Sequence, residues 1–233
     1  MKRIFIIFIF IGAYFFTSQF AYADPYLEDD FGIWSPVYIR LPINKKFRTE
    51  LEVNPRIEEN LTRIHQLITR PSLGYQLTDN LSIWSAYAWT LHYVPRFVRE
   101  QRIWQQILYE KSFQKIDFIS RLRFEERFIQ NVDDVSLRTR YLLKGIYPVG
   151  RTKTWGIVLS NELFVNLFSH FDGPQGGIDQ NRFFIGLSRK ISNNVRMESG
   201  YQLQYINDPA PTIDKLNHLI MFNFYVALPR LLE

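Results

Sequence analysis

From residue 31 onward the chain alternates apolar and polar positions, segment after segment, in runs of roughly ten to fifteen residues. Residues 116–125 are the clearest case. One side of an extended strand there carries Ile116, Phe118, Leu122 and Phe124, and the other carries Asp117, Arg121, Arg123 and Glu125. A period of two is the mark of a β-strand whose faces meet different surroundings. The pattern predicts strands over residues 31–42, 46–57, 62–77, 80–94, 100–113, 116–130, 135–148, 154–168, 180–191, 194–206 and 215–228. Strands of soluble proteins run to about five or six residues, whereas a strand tilted across a bilayer needs about nine to eleven. The predicted segments have the second kind of length.

The connections alternate too. Asn44–Lys46, Thr78–Asn80, Gln114–Lys115 and Ser192–Asn194 read as tight turns, while 94–99, 169–179 and 207–214 are longer and hold most of the loop Pro and Gly. Membrane barrels put short turns at the periplasmic end and long loops outside. By that rule eleven strands would start the first one outside, and bacterial barrels have even numbers of strands. A twelfth strand is therefore expected within residues 24–42, split at Ser35-Pro36, because proline marks an edge, a bulge or a break. The expected architecture is all-β: an antiparallel transmembrane β-barrel of 10–12 strands, 12 favoured.

A soluble ligand-carrying barrel alternates as well, with its apolar side inward. Such a barrel needs only about eight strands. Here one face of the 80–94 segment carries Leu81, Ile83, Tyr87, Trp89, Leu91 and Tyr93, large and partly aromatic, as a lipid-facing band requires. The opposite faces hold too many charges for a dry soluble core. Aromatic residues make up 16% of the chain, with 20 Phe, 13 Tyr and 5 Trp, yet past residue 23 no apolar run reaches the length of a membrane helix.

The N-terminus reads as an export signal. Lys2 and Arg3 form a basic start, residues 4–16 an apolar core, and Ala21-Tyr22-Ala23 a cleavage site, which predicts a signal peptide over 1–23 and one barrel domain over 24–233. Without residues 1–23, 26 Lys and Arg face 23 Asp and Glu, a balance too mild to suggest nucleic acid. There is no cysteine, hence no lipid attachment site and no disulfide framework. The expected location is the bacterial outer membrane. The expected partners are its lipid, lipopolysaccharide and the barrel-assembly machinery.

The charged faces supply the candidate site. Pairing the 116–130 and 135–148 segments around Val132 and Asp133 sets Arg127 near Arg138, Glu125 near Arg140 and Arg121 near Lys144. Pairing 100–113 with 116–130 sets Arg102 near Glu125 and Gln106 near Arg121. Glu125 then lies between two arginines, and Arg121, Arg123, Arg127, Arg138 and Lys144 are in excess, a positive stripe on the lumen wall. The stripe suits either an anion-favouring constriction or the Arg-Glu packing of a closed lumen. Farther along, Arg182 is expected opposite Gln204, and Gly186 opposite Gly200, where the wall either bends or makes room.

Asp30-Phe31-Gly32-Ile33-Trp34, the Arg121–Arg127 strand, Arg138-Thr139-Arg140, Ser160–Phe164 and Gly200-Tyr201 together resemble the domain-of-unknown-function 2490 family, over nearly the whole chain past residue 23. The resemblance implies an outer-membrane barrel of Gram-negative bacteria and assigns no activity. The ending Leu228–Glu233 departs from the terminal aromatic of many outer-membrane proteins, which leaves Phe222, Phe224 and Val226 as the segment for assembly to read.

Enzyme signals are absent from the pattern. No Gly-x-Ser-x-Gly elbow occurs, and His65, His92, His170 and His218 lie outside any recognisable serine motif. No histidines are spaced four apart, and Asp172–Asp179 has too few interior oxygens for a calcium loop, so neither metal nor cofactor is expected. A lipid hydrolase or deacylase working through His170 or His218 at the rim, and a scaffold or adhesin working through the long loops, are the alternatives to a channel or a plugged barrel.

Overall fold

The structure is a computed structural model, and it describes residues 27–113, 115–170, 173–207 and 213–232. The expected signal peptide lies outside these residues. The strands are β1 (Leu27–Trp34), β2 (Val37–Pro42), β3 (Phe47–Glu58), β4 (Arg63–Gln76), β5 (Leu81–His92), β6 (Val98–Ser112), β7 (Asp117–Ile129), β8 (Ser136–Val149), β9 (Trp155–Asn166), β10 (Gly177–Lys190), β11 (Val195–Ile206) and β12 (Asp214–Ala227). Each of the eleven alternating segments becomes a strand or, in the first case, a split strand. From β2 to β12 every strand pairs antiparallel with the next, and the sheet closes on itself.

The closure departs from the antiparallel expectation. A strand broken at Ser35-Pro36 is present, but its pieces do not add a stave to the wall. β1 pairs β12 from Leu27 opposite Asp214 to Trp34 opposite Met221, and β2 continues from Val37 opposite Phe224 in the same register. Against β3 the two are likewise continuous, Trp34 facing Arg56 and Val37 facing Val53. β1 and β2 are thus two halves of one stave, interrupted where proline has no N–H to give. Even at the break the backbone is satisfied: Ser35 N donates to Pro55 O at 3.2 Å, and Phe224 N donates to Pro36 O at 2.9 Å. The wall therefore has eleven staves, and an odd number can close only if its first and last run parallel, as β1–β2 and β12 do.

The two ends of the barrel differ. At one end the connections are tight: residues 43–46, 77–80, 113–116, 150–154 and 191–194. At the other end the chain passes from β3 to β4, β5 to β6, β7 to β8, β9 to β10 and β11 to β12, and the first stave also begins there. We call these the turn end and the loop end. Two bulges interrupt the ladders near the loop end. One places His65 of β4 as an extra residue between the Arg56–Gln66 and Ile57–Ile64 pairs. The other places Asp179 of β10 between the Ile178–Val165 and Gln180–Phe164 pairs. A bulge breaks the alternation for one residue and re-aims a side chain. Here both re-aimed groups face inward: His65 Nδ1 lies 2.7 Å from Glu58, and Asp179 accepts from Arg138 at 3.0 Å.

Gly186 and Gly200 face each other across β10 and β11, as the alternation predicts, and so do Arg182 and Gln204. The two glycines let the wall bend. A Cβ on Gly200 would lie 2.2 Å from Ile185 O and 2.4 Å from Gly186 Cα, both immovable backbone.

Candidate functional site

The interior of the barrel is polar, and its walls are ordered by parity. In β7, Arg123 and Glu125 are buried while Leu122 is 48% exposed on the outer face. The same rule turns Arg102 of β6 and Arg138, Arg140 and Lys144 of β8 inward, where all are buried. Arg121 and Arg127 are partly buried beside them. Arg102, Arg121, Arg123, Glu125, Arg127, Arg138, Arg140 and Lys144 thus share the inward parity of their strands.

Their register is two residues away from the expected one. Glu125 lies opposite Arg138, Arg123 opposite Arg140 and Arg127 opposite Ser136. On the other side Arg102 lies opposite Arg127, and Gln106 opposite Arg123. The β7–β8 connection bends early, with Val132 N donating to Ile129 O at 3.1 Å and Asn131 in the left-handed region at φ 68°. A slip of two preserves the face of every side chain, whereas a slip of one would turn the arginines to the outside. Glu125 still sits between two arginines, but they are Arg138, which donates at 2.7 and 3.0 Å, and Arg140, which donates at 2.8 Å. Arg123 is the third, 3.8 Å away.

Carboxylates on the same strand, on neighbouring strands and, for Lys144, three strands away hold most of the stripe. Arg127 and Arg102 both converge on Glu100, at 2.6 and 2.7 Å, and His92 Nε2 lies 3.1 Å from the same carboxylate. Arg121 and Arg140 converge on Glu162, at 2.6 and 2.8 Å. Lys144 donates to Glu198 at 2.5 Å, and Arg70 lies 3.1 Å from Glu52. Glu100, Glu162, Glu198 and Asp179 are the residues that a two-strand pairing argument misses. Each sits on the inward parity of its own strand or at a bulge, so alternation alone can place them in the lumen but cannot match them to partners.

The pairing is uneven along the axis. At the loop end, Glu100, Glu125, Ser136, Thr90 and Gln204 are all at or below 3% exposure, and the ion pairs there are packed against each other. Towards the turn end the lumen opens into a cavity of about 570 Å³. Eleven cationic side chains and six carboxylates line it, so its wall is net positive. Glu100, Arg102, Glu125, Arg127 and Arg138 are not among its lining. Its inner limit is a layer of arginines on aromatic rings: Arg56 3.6 Å and Arg182 4.9 Å from the Trp34 centroid, Arg123 3.9 Å from Trp104, and Arg140 4.3 Å from Phe164. A guanidinium on a ring face keeps its charge while losing water, and the edge donors are left for other acceptors.

The remaining histidines have local partners. His218 Nδ1 lies 2.6 Å from the Tyr201 hydroxyl and its Nε2 3.8 Å from Asp29. His170, in the β9–β10 connection, lies 3.5 Å from Asp134, and the neighbouring Ser169 hydroxyl accepts from Gly176 N. The Asp172 start of the acidic loop lies outside the described residues. Among the described residues no group of three or more His, Asp or Glu is arranged to hold a metal ion.

The family model described as protein of unknown function (DUF2490) matches residues 31–216. An uncharacterised protein of Methylorubrum extorquens is 34% identical over 181 residues, covering 75% of this chain and 78% of its own length. No solved structure matches. On the family match, which spans the wall from the first stave into the last strand, the chain belongs to the DUF2490 family.

Proposed function

We propose that the protein is an integral outer-membrane β-barrel whose lumen is sealed at the loop end, so that it works as a one-sided vestibule and not as a through channel. The outer surface is the observation that carries the membrane reading. Leu51, Leu73, Ile83, Ile107, Leu122, Ile157 and Ile185, from seven strands, form an aliphatic band, each 38–50% exposed. Exposed aromatic rings flank it at both ends: Phe47, Phe113, Tyr147 and Trp155 towards the turns, and Trp89, Tyr93, Phe97 and Phe128 towards the loops. An apolar band between two aromatic girdles is the outer surface of a membrane barrel, and soluble monomers rarely expose contiguous apolar patches beyond a few hundred Å².

The sealed-lumen reading is supported by the loop-end ion pairs: Glu100 and Glu125 are at most 2% exposed, and Glu100, Arg102, Glu125, Arg127 and Arg138 do not line the cavity. A barrel of this width has room for a packed interior, and salt-bridge networks are one way to pack it. The test has two parts. The native chain should sediment with outer membranes, resist carbonate extraction and show a heat-dependent gel shift. In a planar bilayer the refolded 24–233 chain should give no steady conductance. A chain that stays in the aqueous fraction overturns the membrane reading. Discrete ion-selective steps from the folded protein overturn the sealed lumen.

A further inference from the structure

We infer that the turn-end cavity is a binding site for a small, multiply charged organic anion, a carboxylate or phosphate compound. This inference rests on the sealed-lumen reading, which gives the cavity a floor. The argument begins with Trp34. Arg56 and Arg182 both lie on its indole, at 3.6 and 4.9 Å from the ring centroid, and among the described residues no carboxylate comes within ion-pair reach of either. Arg56 donates to the Gln66 amide at 2.8 Å and Arg182 to the Gln180 amide at 2.9 Å, so their hydrogen-bond partners are neutral. Two like charges on one ring, Arg56 buried and Arg182 partly buried, repel each other in a medium of low dielectric constant. Elsewhere in this lumen such charges are matched by a glutamate. Here Glu58 accepts from Trp34 Nε1 at 2.9 Å at the edge of the shared ring, and neither guanidinium has a carboxylate as its hydrogen-bond partner.

Unused donors point the same way. Arg121 Nε and Gln202 Nε2 are buried without a hydrogen-bond partner, as is the Asn54 Oδ1 acceptor, and all three residues line the cavity. Buried polar atoms are otherwise almost always partnered. Arg123 donates from Nε and Nη2 to Gln106 at 3.0 and 2.8 Å, and its Nη1 lies 3.8 Å from Glu125 without a hydrogen bond to it. Guanidinium forks of this kind bind carboxylate and phosphate oxygens bidentately. The size of the cavity, about 570 Å³, lies in the range of small-molecule sites. Its remaining wall includes Trp104, Phe184 and Met221, which can cover an organic body while the arginines hold the charges.

The experiment titrates the refolded 24–233 chain in detergent micelles with citrate and, separately, with inorganic pyrophosphate, against sodium chloride of equal ionic strength. Tryptophan fluorescence is the readout, since Trp34 and Trp104 lie under the arginines. Saturable one-to-one binding of at least one probe is expected, weakened about tenfold or more by Arg182→Gln and unchanged by Arg63→Gln at the far rim. Citrate alone would assign a carboxylate ligand, pyrophosphate alone a phosphate ligand. Without probe, Arg182→Gln should unfold no more easily than the parent, because it removes an uncompensated charge; a purely structural arginine would lower stability. Arg56→Gln serves as the second variant if Arg182→Gln does not refold. No saturable signal from either probe, or binding that survives both substitutions, overturns the inference. The gel shift and bilayer measurements stand apart from this result, so loss of binding in a folded, non-conducting barrel counts against the site alone.

Discussion

The loop-end and turn-end halves of the lumen are built from the same residue types and reach different states. In the loop-end half each arginine has a carboxylate within about 3 Å: Arg102 and Arg127 share Glu100, and Arg138 and Arg140 share Glu125. At the inner limit of the cavity Arg56 and Arg182 have only amides and a ring, and although Arg40, Arg70, Arg121 and Lys144 beyond them keep glutamates, the cavity wall as a whole holds more cations than carboxylates. Charge content does not separate the halves, because both are rich in arginine. Charge matching does. Where donors and acceptors balance, the side chains are buried against each other; where cations outnumber carboxylates, a cavity remains. The lesson for barrels of this kind is that a run of lumen arginines is neither a pore nor a plug until its carboxylates are counted.

The comparison can be broken most severely at the wall that both halves share. Gly200→Val should yield no folded barrel, since its Cβ would fall 2.2 Å from Ile185 O and 2.4 Å from Gly186 Cα; loss of the heat-dependent gel shift is the readout. Next comes Glu125→Gln. It removes one of the two carboxylates from both Arg138 and Arg140, leaving them Asp179 and Glu162, in the loop-end half where Glu125 is 1% exposed, and should cost about 3–5 kcal/mol in urea unfolding from lipid vesicles. Glu162→Gln removes an equivalent carboxylate, bonded to Arg121 and Arg140, but at the cavity wall where water can take its place. Its cost should be smaller, about 1–3 kcal/mol. Equal losses for the two would erase the distinction between the halves. Smallest of all, Arg63→Gln breaks only the rim pair with Glu59, 3.4 Å apart and 66% exposed on the arginine side, and should move stability by less than about 0.5 kcal/mol.

Much of this was legible in the alternation. Strand bounds such as 116–130 and 194–206 fall within a residue or so of β7 and β11, and the face of every candidate lumen residue follows from parity. What alternation lacks is a ruler across the barrel. The register of β7 on β8 depends on where Asn131 turns the chain, a matter of one backbone conformation. Arg121 finds Glu162 over the one intervening strand β8, and Lys144 finds Glu198, 54 residues away, over β9 and β10, because the wall curves around the lumen. Bulges hide for the same reason. The extra residues His65 and Asp179 look like faults in the pattern until the partner strand shows which side they face. The parallel seam was illegible too, since Ser35-Pro36 marks a break without saying whether the pieces form two staves or one.

The chain contains no cysteine, so single cysteines can report on each half without background. The most direct measurement compares labelling of Ser160→Cys, on the cavity wall, with Ser136→Cys, fully buried among the loop-end ion pairs, by a negatively charged methanethiosulfonate added to the refolded barrel. Fast labelling at 160 and protection at 136 is the predicted result. Labelling at 136 as fast as at 160 would mean that solvent runs the length of the lumen, and would contradict the sealed half.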